Sequence, residues 1–284
     1  MTSEPLGLGH KDLLWGRLKR VGAPLSEYCF SNLYLFRQAH AYEVLTDRDI
    51  FVRGRTYDGR SHLMPTTDIR EMDIEYLAGM MGCCDFIYPV PEDRLDLFPL
   101  DRFNVEFTEG DSDYIYLTEK MSSYAGRHLH NKRNLLKQFT SSYRHEALPL
   151  TNDRLGDAEF VLRDWLANSG ISDEESDFGA CLEAIGLYEH LVLCGGIYYA
   201  EGEPAGFIMG EEVTHDTFVL HFAKARTKFK GVYQYMFNNF ASILPEFYTY
   251  MNLEQDLDKA TLREAKSSYL PERKLRKARV SLKG

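Results

Sequence analysis

No stretch of the 284-residue chain approaches the roughly 18 to 20 consecutive apolar residues that cross a bilayer. The opening, MTSEPLGLGHKDLLW, has neither the basic segment nor the apolar run of a secretory signal, so a cytoplasmic protein is expected. Cysteine is scarce: five residues, at 29, 83, 84, 181 and 194, with no Cys-x-x-Cys pair. The adjacent Cys83 and Cys84 suit neither a disulfide with each other nor a zinc knuckle. His128 and His130 are two apart, whereas ligands on one helix face need spacings of three or four. No metal is therefore expected. A Gly-x-Gly-x-x-Gly dinucleotide loop, a phosphate loop ending in Gly-Lys-Ser/Thr and a Ser-His-Asp order are all missing. That leaves dehydrogenase, kinase and hydrolase readings without support. Short-period repeats and low-complexity tracts are absent too, which excludes solenoids.

Aromatics are abundant, with 18 Tyr and 17 Phe, and favour wide interiors and ring-lined clefts. The net charge of −10 is uneven. From residue 259 onward there are nine Lys or Arg against two Glu, a local balance of +7 that leaves −17 on the rest. A basic end on an acidic body can attract a polyanion such as tRNA, a lipid head group or a nucleotide cofactor. A solvated tail is the alternative.

One pattern occurs twice. YEVLT, IFVRGRT and SHLMPT read as short strands. DIREMDIEYLAGMMG reads as a helix with Asp68 at its N-cap, and DFIYPV as a further strand. HLVLCGGIYYA, PAGFIMGEEV and TFVLHFAKA repeat the strands, GVYQYMFNNFASIL the helix and FYTYMNL the closing strand. Helices are expected between the two sets at 126–143, 153–168 and 175–189. The fold class expected is α/β (mixed α+β), two similar halves packed together as domains 1–147 and 148–284.

Two lysines face the wrong way. On the helix from Ala125, Leu129, Leu136, Phe139 and Tyr143 share a stripe that also contains Lys132. At 258–269, Lys266 lies between Leu262 and Tyr269 on the expected inner face. A lone buried ammonium is costly, so each must snorkel, pair or face a wet cleft. Two of them point to an anion-binding cleft. Asn252, Glu254 and Asp256 lie where FYTYMNL runs out, the end of a strand at which open α/β sheets gather ligands. A carboxylate there could hold or deprotonate an ammonium, and Asp256 or Asp258 could cap the next helix.

YAGRHLHNKRNLLKQF, HFAKARTKFKGVYQYMFNNFA and NLEQDLDKATLREAKSSYLP together resemble a bacterial family of mostly unknown function. That family is similar to the C-terminal catalytic domain of phosphatidylglycerol lysyltransferases. The resemblance covers nearly the whole chain. It implies two tandem acyltransferase domains of the Gcn5-related N-acetyltransferase type, as in Fem-type peptidoglycan aminoacyltransferases. It also implies transfer of an aminoacyl group from tRNA, although lysyltransferases of that kind carry membrane-spanning segments that this chain lacks. The family's usual glycine after EQDL is Asp258 here. Coenzyme A enzymes of this fold hold pyrophosphate on Gln/Arg-x-x-Gly-x-Gly/Ala at a helix start. The nearest match is Lys228 to Tyr233, where Gly231 fits, Lys228 replaces Gln or Arg, and Tyr233 fills the last small position.

The expected activity is therefore acyl transfer, from aminoacyl-tRNA, to an amine, a hydroxyl or a lipid acceptor. No cofactor is required beyond the donor. A non-catalytic module for an anionic ligand and a coenzyme A-dependent N-acyltransferase are the alternatives. Such chemistry needs a base, oxyanion donors and an acid. His221 is the candidate base, with a hydrogen-bonded core histidine as the alternative. Lys224 is the candidate oxyanion donor and Tyr233 the candidate acid. Candidate substrate-binding residues are Lys132, Arg133, Lys230, Gly231, Gln234, Asn252, Glu254, Asp256, Arg263 and Lys266.

Overall fold

The computed structural model describes all 284 residues, in two compact units. The first comprises Met1–Tyr114, Gln255–Arg263 and Lys274–Gly284; the second comprises Ile115–Glu254 and Glu264–Arg273. The sequence placed one boundary at 147/148. The division falls at 114/115 instead, and two late segments return to the first unit.

The first sheet contains β1 (Thr2–Pro5), β2 (Glu43–Thr46), β3 (Ile50–Arg55), β4 (Ser61–Pro65), β5 (Phe86–Pro91), β6 (Phe103–Phe107) and β14 (Lys277–Leu282). Their order is β1-β2-β3-β4-β5-β14-β6. Only β4 and β5 run parallel, through two registered pairs, His62 with Phe86 and Leu63 with Ile87. Helices α1 (Lys11–Val21), α2 (Phe30–Leu35) and α3 (Ile74–Met81) belong to this unit. Asp68 caps a 3-10 turn, Ile69–Glu71, rather than the helix, and Asp73 caps α3. Leu77, Ala78 and Met81 of α3 pack against Leu45, Phe51, Leu63, Ile87 and Val280. Each large apolar side chain so buried contributes about 1.5–3 kcal/mol.

The basic end is not a solvated tail. Strand β14 lies between β5 and β6, turning Ala278 and Val280 to the core and Lys277 and Arg279 to the other face. Arg279 binds Asp58 at 2.5 Å and Asp111 at 2.9 Å, Arg276 binds Glu92 at 2.9 Å, and Lys274 pairs with Glu109. Arg263 grips Asp256 with two bonds of 2.8 and 2.9 Å. Charge that the sequence offered to a polyanion is spent on the unit's own carboxylates.

The second sheet contains β7 (Asp113–Leu117), β8 (His145–Pro149), β9 (Cys194–Ala200), β10 (Glu203–Thr214), β11 (Thr217–Ala225), β12 (Tyr250–Asn252) and β13 (Arg273–Leu275). The order is β13-β7-β12-β11-β10-β9-β8. Helices α4 (Thr118–Ser123), α5 (His130–Ser142), α6 (Leu155–Ser169), α7 (Phe178–Gly186), α8 (Val232–Ile243) and α9 (Ala260–Ser267) complete the chain. The doubled pattern is present: the antiparallel pair β3–β4, helix α3 and parallel β5 correspond to β10–β11, α8 and β12. On α5, Leu129 just before the helix and Phe139 are fully buried, as the stripe required, while Lys132 and Leu136 are half-buried. On α9 the expected inner face fails. Leu262 and Ala265 are exposed and only Tyr269, beyond the helix, is buried.

Candidate functional site

Parallel strands β11 and β12 pair only from Thr217 with Tyr250 to Val219 with Asn252. Beyond those residues the second half of β11 has no strand neighbour on that side. The register against β10 slips there as well: Met209 faces Phe222 and Gly210 faces Leu220, so His221 is the extra residue of a β-bulge. Gly210 is required by this geometry, since a Cβ on it would lie 1.9 Å from the Val219 carbonyl oxygen.

The bulge sets His221 between two carboxylates. Its Nδ1 donates to Glu254 Oε1 at 2.8 Å and its Nε2 to Glu211 Oε1 at 3.1 Å. With acceptors on both nitrogens the ring carries both protons. Burial alone would depress its proton affinity. The hydrogen bonds and charges of Glu211 and Glu254 outweigh that and raise the pKa to about 10. At neutral pH His221 is therefore an imidazolium with no lone pair to offer. The base role expected for it fails in this arrangement, for electrostatic rather than steric reasons. The His221 side chain is fully buried, Glu211 nearly so, and Glu254 keeps 15% of its exposure. Glu254 is the member a substrate can touch. It is held in the left-handed region, φ 58, by its own N–H donating to Asn252 Oδ1, a strain of the kind that clusters at functional sites.

Lys224 and Tyr233 form a separate group. The Lys224 ammonium sits 2.6 Å from Asp177 and 3.7 Å from the Trp165 ring centre, committed to structure rather than to an oxyanion. Tyr233 Oη accepts the Ala225 N–H at 3.2 Å, and burial raises its pKa to about 12. Four residues of extended strand, about 13 Å, separate Ala225 from His221. The three residues expected to act together thus do not flank one carbonyl.

Gly231 adopts φ 89, and a Cβ there would lie 2.3 Å from the Leu135 carbonyl oxygen, so this glycine serves the close approach of α5. Gly231→Ala is expected to lower stability by about 2 kcal/mol. A chemical denaturation midpoint within error of the parent would contradict this. Lys132 donates to Ser268 Oγ at 2.7 Å and lies 3.7 Å above the Tyr269 ring; its half-burial lowers its pKa. Gln234 joins the same cluster, donating to Tyr269 Oη at 2.9 Å. Arg133 donates to the carbonyls of Tyr124 and Gly126. Lys266 accepts through its carbonyl from Tyr116 Oη at 2.8 Å. Lys230 is exposed beside Gly231. In the first unit, Asp256 is fully buried. Burial pushes its pKa up, but bonds from Arg263 and Tyr114 carry it below the usual carboxylate value. Asp258 takes φ 56, the left-handed conformation that glycine would adopt at that position without strain.

Sequence reasoning missed Glu211 and the first unit's buried centre. There Lys277 Nζ lies 2.7 Å from Glu27 Oε1 and 2.6 Å from Asp113 Oδ1, all three side chains fully or nearly buried. Tyr88 Oη and Ser26 add further bonds to the carboxylates. No local signal marks a pairing across 250 positions.

Two units that each cross from an antiparallel pair through one helix to a short parallel strand define a tandem protein of the Gcn5-related N-acetyltransferase-like class. The phosphatidylglycerol lysyltransferase C-terminal family model matches residues 19–277, and the chain belongs to that family. Among solved structures, a conserved protein of unknown function from Bacteroides thetaiotaomicron VPI-5482 is 26% identical over 100% of both chains, with a TM-score of 0.87. The C-terminal domain, DUF2156, of a protein described as a lysylphosphatidylglycerol synthetase from Agrobacterium fabrum has a TM-score of 0.66. It is 12% identical over 98% of this chain and 92% of its own. L-PGS from Bacillus licheniformis gives 0.55 at 14% identity, over 82% of this chain and 80% of its own. At such identities the last two show the fold alone. Among curated proteins none matches the chain. The family places the protein among acyltransferases. No helix is long and apolar enough to cross a membrane.

Proposed function

We propose that the second unit transfers an aminoacyl group from aminoacyl-tRNA to an amine or hydroxyl acceptor, with the reacting carbonyl at the His221 bulge. The observation that carries the donor is the charge around α5. Residues 120–145 hold six Lys or Arg, three His and no Asp or Glu, in a chain of net charge −10. Arg127, Lys132, Arg133 and Lys137 form no ion pair, whereas most of the C-terminal cations do. An uncompensated basic surface on an acidic protein suits a phosphodiester backbone. Coenzyme A fits less well. The glycine of its expected loop is occupied by α5, and Tyr233 takes the Ala225 N–H from the open edge of β11.

In this reading the acceptor attacks the acyl carbon while its proton passes to Glu254, the carboxylate held by the His221 imidazolium. The bond from acyl carbon to donor oxygen then breaks, and that oxygen takes up a proton. Backbone N–H groups along the open half of β11 receive the developing oxyanion.

The test is transfer of a labelled aminoacyl group from charged tRNA, with acetyl-coenzyme A as the rival donor. Transfer from tRNA alone supports the reading. Acetyl transfer without aminoacyl transfer overturns it, and tight tRNA binding with no transfer to any acceptor points to a binding module. Lys120→Glu combined with Arg127→Glu is expected to weaken tRNA binding about tenfold and to flatten its salt dependence. Unchanged affinity across a salt titration would contradict the assignment to the basic stretch 120–145.

A further inference from the structure

We propose that the two adjacent thiols after α3 in the first unit, Cys83 and Cys84, bind a soft monovalent cation, copper(I). Acyl transfer has no part in this site. The segment 72–84 is dense in soft sulfur: Met72, Met80, Met81, Cys83 and Cys84 are three of the chain's nine methionines and two of its five cysteines. Neighbouring side chains on an extended strand point to opposite sides. Here the chain turns instead, and the Cys83 and Cys84 N–H groups donate to the Met80 and Met81 carbonyls at 3.3 and 3.0 Å. The turn brings the two Sγ atoms to 3.6 Å, and Cys83 Sγ also donates to the Met80 carbonyl at 3.0 Å.

That separation is the bite of a chelate. With metal–thiolate bonds of about 2.3 Å, sulfurs so placed subtend about 100° at a shared ion and leave its far side open. Zinc fits poorly, since it takes four ligands and no third histidine, cysteine or carboxylate ligand atom gathers with this pair. The spacings that exclude a zinc knuckle do not exclude an ion held by two thiolates. Copper(I) is satisfied by fewer ligands and prefers thiolate and thioether. Met72 and Met80 share the partly buried layer over the core in which both cysteines sit. The carbonyl dipoles at the end of α3 favour a cation as well. Burial and then Cys83 hold the Cys84 pKa at about 12 against the pull of Arg53, so this group is a thiol at neutral pH and yields its proton only to a strong thiophile. Binding breaks both S–H bonds heterolytically. Each electron pair becomes a sulfur–copper bond and two protons pass to water, with no change of oxidation state.

The experiment titrates the reduced full chain anaerobically with copper(I) against a chromophoric copper(I) chelator. One ion per chain is expected, with Cys83→Ser and Cys84→Ser each weakening binding at least hundredfold. Cys194→Ser, at an exposed thiol, should leave it unchanged. Because either serine variant could disturb the fold, the parent supplies a second readout. X-ray absorption at the copper edge should show a first shell of sulfur alone. A shell containing nitrogen, which would put the ion at histidines, overturns the proposal. So does copper retained by the variant lacking both thiols, or zinc(II) bound as tightly as copper(I).

Discussion

Lys277→Met is expected to destabilise the first unit by about 3–5 kcal/mol, the range for removing one partner from a buried ion pair. The ammonium is fully buried against Glu27 and Asp113, and its loss leaves two carboxylates with no cation between them. In the parent, burial would lower the lysine's proton affinity, but attraction to Asp113 and Glu27 carries it above the ordinary value. Burial conversely pushes the Glu27 pKa up, against the pull of Lys277. The sign for pH follows. An acid whose folded pKa is raised stabilises below its unfolded value, and that contribution is lost as pH rises through the folded one. With Lys277 gone, Glu27 rises further, so the variant should regain part of its stability as pH falls from 8 toward 5. Urea denaturation at several pH values checks both statements. A loss below 1 kcal/mol at pH 7, or a variant most stable at alkaline pH, would contradict them.

Glu254→Gln is expected to lower kcat for transfer by about 10²–10⁴, the usual range for a general base, with KM little changed and the fold intact. The amide can still accept from His221 but cannot take a proton at neutral pH. His221 itself should show in stability rather than in a rate profile near pH 7. A cation whose pKa is raised by folding, here from 6.5 to about 10, stabilises fully below the unfolded value. That contribution disappears as pH climbs toward 10, and for so enclosed a group amounts to a few kcal/mol. The parent's melting temperature should therefore fall between pH 7 and 10. His221→Gln should start lower and fall less. A kcat unchanged by Glu254→Gln would remove that carboxylate from the chemistry, and identical alkaline slopes in parent and His221→Gln would contradict the imidazolium.

Local and mid-range order was legible in the chain. The strand, helix and strand sets at 42–91 and 190–253 follow from periodicity and turn residues, as does the half-buried Lys132 among apolar neighbours. What stayed hidden depends on distant partners. The basic end reads as a free tail because the acids that hold Lys277 and Arg279, namely Glu27, Asp58, Asp111 and Asp113, lie about 165 to 250 positions away. The role of His221 was misjudged for a similar reason. Strict alternation along TFVLHFAKA puts it on one face, but a bulge is a property of two strands, and neither the slip against β10 nor the facing Glu211 is written in β11 alone. Lys266 had no helix core to face, because α9 buries nothing.

The place of β14 has a consequence for biosynthesis. Its neighbours β5 and β6 are complete at Phe107, but the strand that joins them is translated 170 positions later. Until then the emerging N-terminal portion exposes two unmet strand edges and a carboxylate pair awaiting its lysine, while the second unit's hairpins and helices are already available to fold. Chaperone capture of nascent chains should therefore be strongest on the segment from β1 to β6 and end only once β14 has joined its sheet.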